Sequence, residues 1–291
     1  MARKLCLLMT LALGLSLAPR GANAGAQAPL PVAASILPLA DFARQVGGER
    51  VQVETLVPPG ASPHTYEPTP AQLKLLSHAR VLVLNGVGLE FWADKLISAA
   101  GNPDMIVVRT AAGLPILAGD PDEPSGNPHV WLSPLGAIHQ VEAIRDALIR
   151  ADPAGADVYR ANTERYVGRL RALDQEIRAT VATFRTRKFI VYHPAWAYFA
   201  RDYGLEQAAV IERSPGQEPS PAEVAAIIRT ARAIGAKAIF AEPQFSTKAA
   251  RVIAEESGAQ VLLLDPLGRP PGYRYLDTMR YDLAQMRKAL Q

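Results

Sequence analysis

The sequence predicts an α/β fold of two lobes, each a mainly parallel sheet flanked by helices, joined by one long rigid helix. Short segments rich in Val, Ile and Leu alternate with helical patterns along most of the chain, an order typical of parallel sheets with helices on both faces. One long helical stretch near the middle separates two halves of similar size. The 291 residues, 49% of them apolar, are enough for two ordinary domains.

The first 24 residues predict export from the cytoplasm. Basic residues precede an apolar run at 5–18, which is short for a membrane span, and small residues at 22 and 24 fit a signal-peptide cleavage site. We therefore expect cleavage after Ala24 and a mature periplasmic protein that begins at Gly25; an uncleaved N-terminal anchor is the alternative. The single cysteine, Cys6, lies in the removed segment, so the mature chain has no disulfide and no thiolate ligand.

The charge of the mature chain is balanced. The formal net charge of +3 comes from the first 24 residues, and the remainder has 28 basic and 28 acidic side chains. We therefore expect no nucleic-acid partner and no electrostatic attraction to an anionic membrane. No later apolar stretch is long enough to cross a bilayer. We expect a monomer without a membrane span.

Three parts are predicted along the chain: an N-terminal lobe at 25–151, a linking helix at 152–185 and a C-terminal lobe at 186–291. The expected strands are continuous apolar runs, which suit strands buried on both faces. They lie at 31–36, 51–57, 80–85, 105–109, 188–192, 207–211, 237–241 and 260–264. Helical patterns lie at 38–47, 70–78, 89–100, 134–151, 195–203, 221–235, 246–257 and 274–290.

The linking helix is predicted over 153–184, a stretch without an internal proline. Asp152 is the expected N-cap and Pro153 the expected first helical residue. About 30 helical residues extend about 45 Å, long enough to act as a rigid connection between the lobes. Two shorter helices broken near Gly168 are the alternative.

A short internal repeat links the two halves. Thr69 and Ser220 are each followed by a proline and, three residues later, by Gln or Glu, which predicts a capping box at each helix start. Either both lobes use the same strand–loop–helix arrangement, or two well-capped helices match by coincidence.

Three of the five histidines are the candidate ligands. His64, His129 and His193 each adjoin a proline in a loop at or near the carboxyl end of a predicted strand, the region where open α/β sheets bind ligands. His78 and His139 lie within or at the end of predicted helices, and we interpret both as surface or helix-end residues.

Two acidic residues occupy similar positions, since Glu242 and Asp265 each follow a strand and precede a proline. Imidazoles with a carboxylate suit Zn²⁺, although a carboxylate at a strand end is often only a cap. The sequence has no H-E-x-x-H motif, no cysteine pair, no G-x-S-x-G motif and no Walker A loop. We therefore expect a binding protein, not an enzyme, whose fold must assemble the site.

Five segments of this sequence resemble the cluster A-I metal-binding receptors of zinc and manganese ABC transporters. They agree with that family in order and spacing: 58–70 (PPGASPHTYEPTP), 85–90 (NGVGLE), 127–132 (NPHVWL), 242–246 (EPQFS) and 265–268 (DPLG). Together they extend over essentially the whole mature chain. The resemblance implies two α/β lobes on a backbone helix, with a metal ion bound between them and delivered to a permease driven by a cytoplasmic ATPase.

The resemblance also implies the ligands, carried over position by position: His64, His129, His193 and Asp265. It gives Glu242 a supporting role. Manganese and iron receptors of the family often have Glu at the third position, so a histidine there favours Zn²⁺, with Mn²⁺ or Fe²⁺ as the alternative. Against zinc, the segment 119–127 is short and acidic and lacks the histidines that many zinc receptors carry.

Two other classes of protein remain as alternatives. A secreted zinc hydrolase would keep an open position on its metal for water, whereas a fourth ligand at Asp265 would close the site. A surface adhesin would bind its partner independently of metal.

Overall fold

The computed structural model describes residues 28–119, 124–213, 216–268 and 272–291. The predicted signal peptide and the three acidic residues of the segment 119–127 lie outside them. The first half contains β1 Leu30–Ala34, α1 Leu37–Gly47, β2 Val51–Thr55, α2 Pro70–Leu76, β3 Val81–Leu84, α3 Ala93–Ala100, β4 Ile106–Arg109 and α4 Pro134–Ala151. The second half contains α5 Ala156–Ala182, β5 Lys188–Val191, α6 Ala197–Tyr203, β6 Glu206–Val210, α7 Pro221–Ala233, β7 Ala238–Ala241, α8 Lys248–Ser257, β8 Gln260–Leu263 and α9 Tyr275–Leu290.

Both sheets are parallel and share one strand order. The first is β2-β1-β3-β4 and the second is β6-β5-β7-β8, which confirms the predicted fold class. The inner strands β3 and β7 are buried at every residue, which explains their continuous apolar sequences. In each sheet the direction of strand addition reverses between the first and third strands, and such a point is a usual ligand site.

The long helix is continuous. A 3-10 turn at Pro153–Gly155 leads into α5, whose 27 residues run without a break through Gly168, so the alternative of two shorter helices is wrong. A Cβ at Gly168 would meet nothing within 4 Å, and a glycine at such an open helix position costs only about 1 kcal/mol relative to alanine. The helix packs against α1 and α4 of the first half and against α6 and α9 of the second.

Asp152 directly precedes the 3-10 turn and Pro153 is the first residue of that turn, but the Asp152 side chain makes no capping hydrogen bond. Its carboxylate accepts hydrogen bonds from Arg50 Nε at 2.9 Å and Nη2 at 2.7 Å and from the Tyr159 hydroxyl at 2.6 Å. A charge-assisted pair with a guanidinium is stronger than a bond to a helix N–H, and sequence alone does not show that Arg50 lies nearby. The proline that follows opens the 3-10 turn instead of the α-helix.

Both predicted capping boxes are present. Ser220 Oγ accepts from the Glu223 N–H at 3.3 Å, and the Glu223 carboxylate accepts from the Ser220 N–H at 2.8 Å; Thr69 and Gln72 form the same motif. Each box opens the helix that follows the second strand of its sheet. The repeat in the sequence therefore reflects one arrangement used in both lobes.

One continuous apolar core joins the two halves. It includes side chains from α1, α4 and α5, and also from α6, α9 and one face of the second sheet. Phe42 of α1 packs edge-on against Tyr275 of α9, with ring centroids 4.9 Å apart. A second core fills the other face of the second sheet. Because packed cores do not deform continuously, large rotations of one lobe against the other are disfavoured.

Among the helices that the structure describes, none has the length and apolarity needed to span a bilayer. The boundaries assigned to the lobes at 151 and 186 stay predictions.

Candidate metal centre

Three histidines from both halves converge on one point. His64 lies in the loop between β2 and α2, His129 directly precedes a 3-10 turn before α4, and His193 follows β5 by two residues. Nε2 of His129 lies 3.1 Å from Nε2 of His64 and 3.0 Å from Nε2 of His193. In the described part of the chain, these three residues form the group that could hold a metal ion, with their ligand atoms within 4.8 Å of one another.

The orientation of His129 is determined by Asn127. The amide oxygen Oδ1 of Asn127 accepts from both the backbone N–H and the ring Nδ1 of His129, each at 3.0 Å. Because this oxygen can only accept, Nδ1 carries the proton and Nε2 presents its lone pair to the centre. His129 is 2% exposed.

The carboxylate of Glu242 orients His193 as the amide of Asn127 orients His129. Its Nδ1 lies 2.6 Å from Oε1 of Glu242, and both residues are buried. Burial raises the pKa of the Glu242 carboxyl, and the neighbouring His193 opposes this shift. With Glu242 ionised, Nδ1 of His193 donates and its Nε2 lone pair also faces the centre. The position of Glu242 agrees with the expected supporting role.

Protons are disfavoured at this cluster. Burial and the neighbouring His193 imidazole lower the pKa of His64 to about 3. Burial, with the adjacent imidazoles, lowers the pKa of His129 well below its usual value. Both rings are therefore neutral at neutral pH, the form that binds metals.

The spacing and size of the site suit a small cation. Zinc–nitrogen bonds of about 2.0–2.1 Å in a tetrahedron place two nitrogens about 3.3 Å apart, close to the 3.0 and 3.1 Å seen between the imidazoles. The cavity around them is only about 10 Å³ and is walled by apolar groups, including Trp131, Phe245 and Leu267. That volume is below the range of about 300–1,000 Å³ typical of organic ligands.

Asp265 directly precedes Pro266, which lines the cleft together with Gln244, but it is not among the three described residues whose ligand atoms lie within 4.8 Å of one another. Its Oδ1 accepts from Gln244 Nε2 at 3.0 Å and from the backbone N–H groups of Leu267 at 3.3 Å and Gly268 at 2.8 Å. Its own N–H donates to Asp282 Oδ1 at 2.8 Å. These bonds hold the loop in place, and the ligand role of Asp265 stays a prediction.

The other two histidines lie outside the cluster. His78 is exposed, and Nε2 of His139 donates to the carbonyl of Ala112 at 2.8 Å. Sequence reasoning missed the contacts of Asn127 and Trp131 around the ligands. Only the Asn127 contact could have been predicted, because an asparagine side chain commonly accepts a hydrogen bond from the backbone N–H two residues later.

Fold and site together define a two-lobed α/β protein with an inter-lobe histidine site for a metal ion. The family model described as "Zinc-uptake complex component A periplasmic" (ZnuA) matches residues 32–289. The high-affinity zinc uptake system protein ZnuA of Bacillus subtilis is 29% identical, over 98% of this chain and 95% of that protein. The manganese-binding lipoprotein MntA of Halalkalibacterium halodurans is 29% identical, over 87% and 86%.

A crystal structure of ZnuA superimposes with a TM-score of 0.84 at 39% identity, covering 90% of this chain and 99% of that one. The chain therefore belongs to the ZnuA family. This is a family of metal-binding ABC transporter receptors of the periplasmic type, and its members are not enzymes.

Proposed function

We propose that this protein binds one divalent transition-metal ion between its lobes, most readily Zn²⁺, and delivers it to an ABC permease. The proposed ligands are His64, His129, His193 and Asp265. One observation carries the proposal: the Nε2 lone pairs of His129 and His193 face each other at 3.0 Å, in a cleft where protons are disfavoured. Two such lone pairs repel unless a cation lies between them, and a metal ion satisfies both.

The donor set favours zinc over manganese. Three neutral imidazoles and one carboxylate leave a bound divalent ion with a net charge of about +1, and they suit a borderline-soft ion. Mn²⁺ prefers more oxygen ligands and a higher coordination number. A Mn²⁺ or Fe²⁺ receptor is the second candidate, supported by the similarity to MntA and by the nearby carboxylate of Glu242.

The cellular setting follows from the predicted signal peptide and the family. We propose that the chain is cleaved after Ala24, acts as a periplasmic monomer, and docks on a permease with a cytoplasmic ATPase. The joined core supports a small lobe tilt and loop movement on release, not a wide hinge opening. A hydrolase is disfavoured because a four-ligand site leaves no position for water and the cleft is small.

Metal analysis tests the proposal directly. Protein purified without added metal is assayed for bound ions, followed by competition among Zn²⁺, Mn²⁺ and Fe²⁺. His129→Ala should lower Zn²⁺ affinity at least about 100-fold, because it removes the central ligand and not an outer-shell partner. The control His78→Ala removes an exposed histidine and should leave affinity unchanged. Equal affinity in both variants would reject the site.

His193→Glu tests the choice of metal. The substitution adds one or two oxygen donors and a negative charge, so the ratio of Zn²⁺ to Mn²⁺ affinity should shift toward Mn²⁺. Competition titrations on the wild-type protein and the variant measure this ratio. An unchanged ratio would remove His193 as a determinant of metal choice.

A further inference from the structure

One loop of the first lobe donates hydrogen bonds beside both proposed ligands of the second lobe. Asn127 Nδ2 donates to the carbonyl oxygen of Pro194 at 2.8 Å, and Pro194 follows His193 directly. Trp131 Nε1 donates to the carbonyl oxygen of Pro266 at 2.7 Å, and this proline follows Asp265 directly. The same short segment also carries His129.

The second lobe returns two hydrogen bonds to this loop. The hydroxyl of Tyr198 donates to the carbonyl oxygen of Asn127 at 2.8 Å. The hydroxyl of Tyr275 donates to the carbonyl oxygen of Trp131 at 2.6 Å. Asn127 is 2% exposed and Trp131 is 1% exposed. Directional bonds at such buried groups are costly to break, because the orphaned partner cannot turn to water.

From this geometry we infer that Asn127 and Trp131 are positioning residues that set the distance between the first-lobe and second-lobe ligands and thereby favour a small ion. Neither touches the ion. Asn127 orients His129 with one end of its amide and holds the peptide beside His193 with the other. Trp131 holds the peptide beside Asp265. The inference rests on the proposed function, since it concerns the same site.

The consequence is a selectivity effect. With both bonds in place, the imidazole nitrogens stay near the separation that zinc–nitrogen bonds of about 2.0–2.1 Å require. When one bond is lost, the second-lobe ligand beside it can move outward. An ion that needs short, four-coordinate bonds then loses more affinity than Mn²⁺, which accepts more ligands.

Trp131→Phe is the main test, because it removes the indole N–H and keeps an aromatic ring. We expect Zn²⁺ affinity to fall about 10-fold, the usual size for an outer-shell partner, with a smaller fall for Mn²⁺ and faster Zn²⁺ dissociation. Trp196→Phe is the matched control: Trp196 is also buried, lies three residues from His193, and its Nε1 has no hydrogen-bond partner in the described chain. It should lower thermal stability without changing the affinity ratio.

Asn127→Asp tests the hydrogen bond to Pro194 through the direction of the change in Zn²⁺ affinity. The added negative charge alone would strengthen binding of a cation, whereas a carboxylate oxygen facing the Pro194 carbonyl oxygen would push the His193 loop away. We expect weaker Zn²⁺ binding. If Trp131→Phe does not fold, Tyr275→Phe, which keeps its ring and loses only the hydroxyl bond to Trp131, should shift the Zn²⁺ to Mn²⁺ ratio in the same direction.

The outcomes separate this inference from the proposed function. A wild-type protein that binds no transition metal refutes both. Wild-type binding with the same Zn²⁺ to Mn²⁺ ratio in Trp131→Phe and Trp196→Phe overturns the positioning role alone, as does unchanged or tighter Zn²⁺ binding by Asn127→Asp. A ratio lowered by Trp131→Phe and not by the control supports it.

Discussion

The two lobes share one strand order but use a buried carboxylate beside their first and third strands differently. In the first lobe, Glu90 accepts from the Ser35 hydroxyl at 2.6 Å and from two backbone N–H groups at 2.8 and 2.9 Å. In the second lobe, the Glu242 carboxylate is held by His193, whose ring nitrogen Nδ1 lies 2.6 Å from Oε1 and whose backbone N–H also donates to it, and Oε2 has no hydrogen-bond partner among the described residues.

This difference shows that buried carboxylates that follow the third strand of each sheet can support the fold in one lobe and orient a proposed metal ligand in the other. Both oxygens of Glu90 are satisfied by groups of its own lobe, so it braces the ends of β1 and β3. Glu242 instead orients a ring that points out of the sheet toward the first lobe. The partner of the carboxylate, Ser35 or His193, decides which role it has.

Metal removal should have the largest effect, because the proposed ion joins the two lobes. Binding to the folded state alone stabilises it by about 4 kcal/mol at a thousandfold excess of metal over Kd. Chelation should therefore lower the melting temperature clearly, measured by calorimetry with and without EDTA. His64→Ala should remove most of the difference in melting temperature between the two conditions. A melting temperature that EDTA does not change would contradict an inter-lobe site.

Glu90→Ala and Glu242→Ala test the contrast between the two carboxylates. Glu90→Ala leaves three donors without this acceptor, two of them buried, and should cost about 3 kcal/mol of unfolding free energy in the metal-free protein. Metal affinity should change little. Glu242→Ala should cost clearly less stability but lower Zn²⁺ affinity about 10- to 100-fold.

Chemical denaturation and metal titration on both variants separate the two roles. Equal losses of affinity would mean that the two carboxylates do not differ as described.

Acid should destabilise the metal-free protein through the first-lobe histidines. The pKa of His64 is lowered to about 3 in the folded protein, whereas an unfolded histidine titrates near 6.5. The unfolded chain therefore binds the proton first, and stability falls as pH drops from about 6.5 toward 3. Between pH 7 and pH 5 protonation of this histidine in the unfolded chain lowers the unfolding free energy by at most about 2 kcal/mol. The loss is an upper value because the ring is partly exposed and solvent screens its interactions.

Urea titrations in chelator at the two pH values measure this loss. The variant His64→Asn lacks the titrating ring and should show a smaller difference between pH 7 and pH 5. The same slope in both proteins would show that His64 is not the group responsible.

The two capping boxes should give the smallest and most equal effects. Thr69→Ala and Ser220→Ala each remove the side-chain acceptor of a helix start and should cost about 1 kcal/mol. Denaturation of both variants compares the lobes at matched positions. A cost confined to one lobe would indicate that this lobe alone limits global unfolding.

Most of the fold was predictable because its signals are local. Apolar runs identified the eight strands of the described residues, with ends that differ by a few residues, and the absence of proline between 154 and 184 predicted one long helix. The failure at Asp152 has the opposite cause: Arg50 lies 102 residues away along the chain. Patterns of neighbouring residues cannot predict a partner at this distance along the chain.

The site was only partly accessible in this way. Prolines beside three histidines and the similarity of five loops to a receptor family pointed to His64, His129 and His193, which the structure brings together. Spacing along the chain could not show that these histidines meet, since residues 129 and 193 are 64 positions apart. Their proximity depends on strand order and on how the lobes pack.

The sequence by itself determined the secondary structure, the parallel sheets, the two capping boxes and the supply of imidazole ligands, because each follows from residue type and near neighbours. Only the tertiary structure decided which donor faces which acceptor. It set Asn127 against Pro194, Glu242 against His193, and Trp131 against Pro266. These contacts join residues at least 49 positions apart along the chain, so they form only when the strands and helices between them have packed.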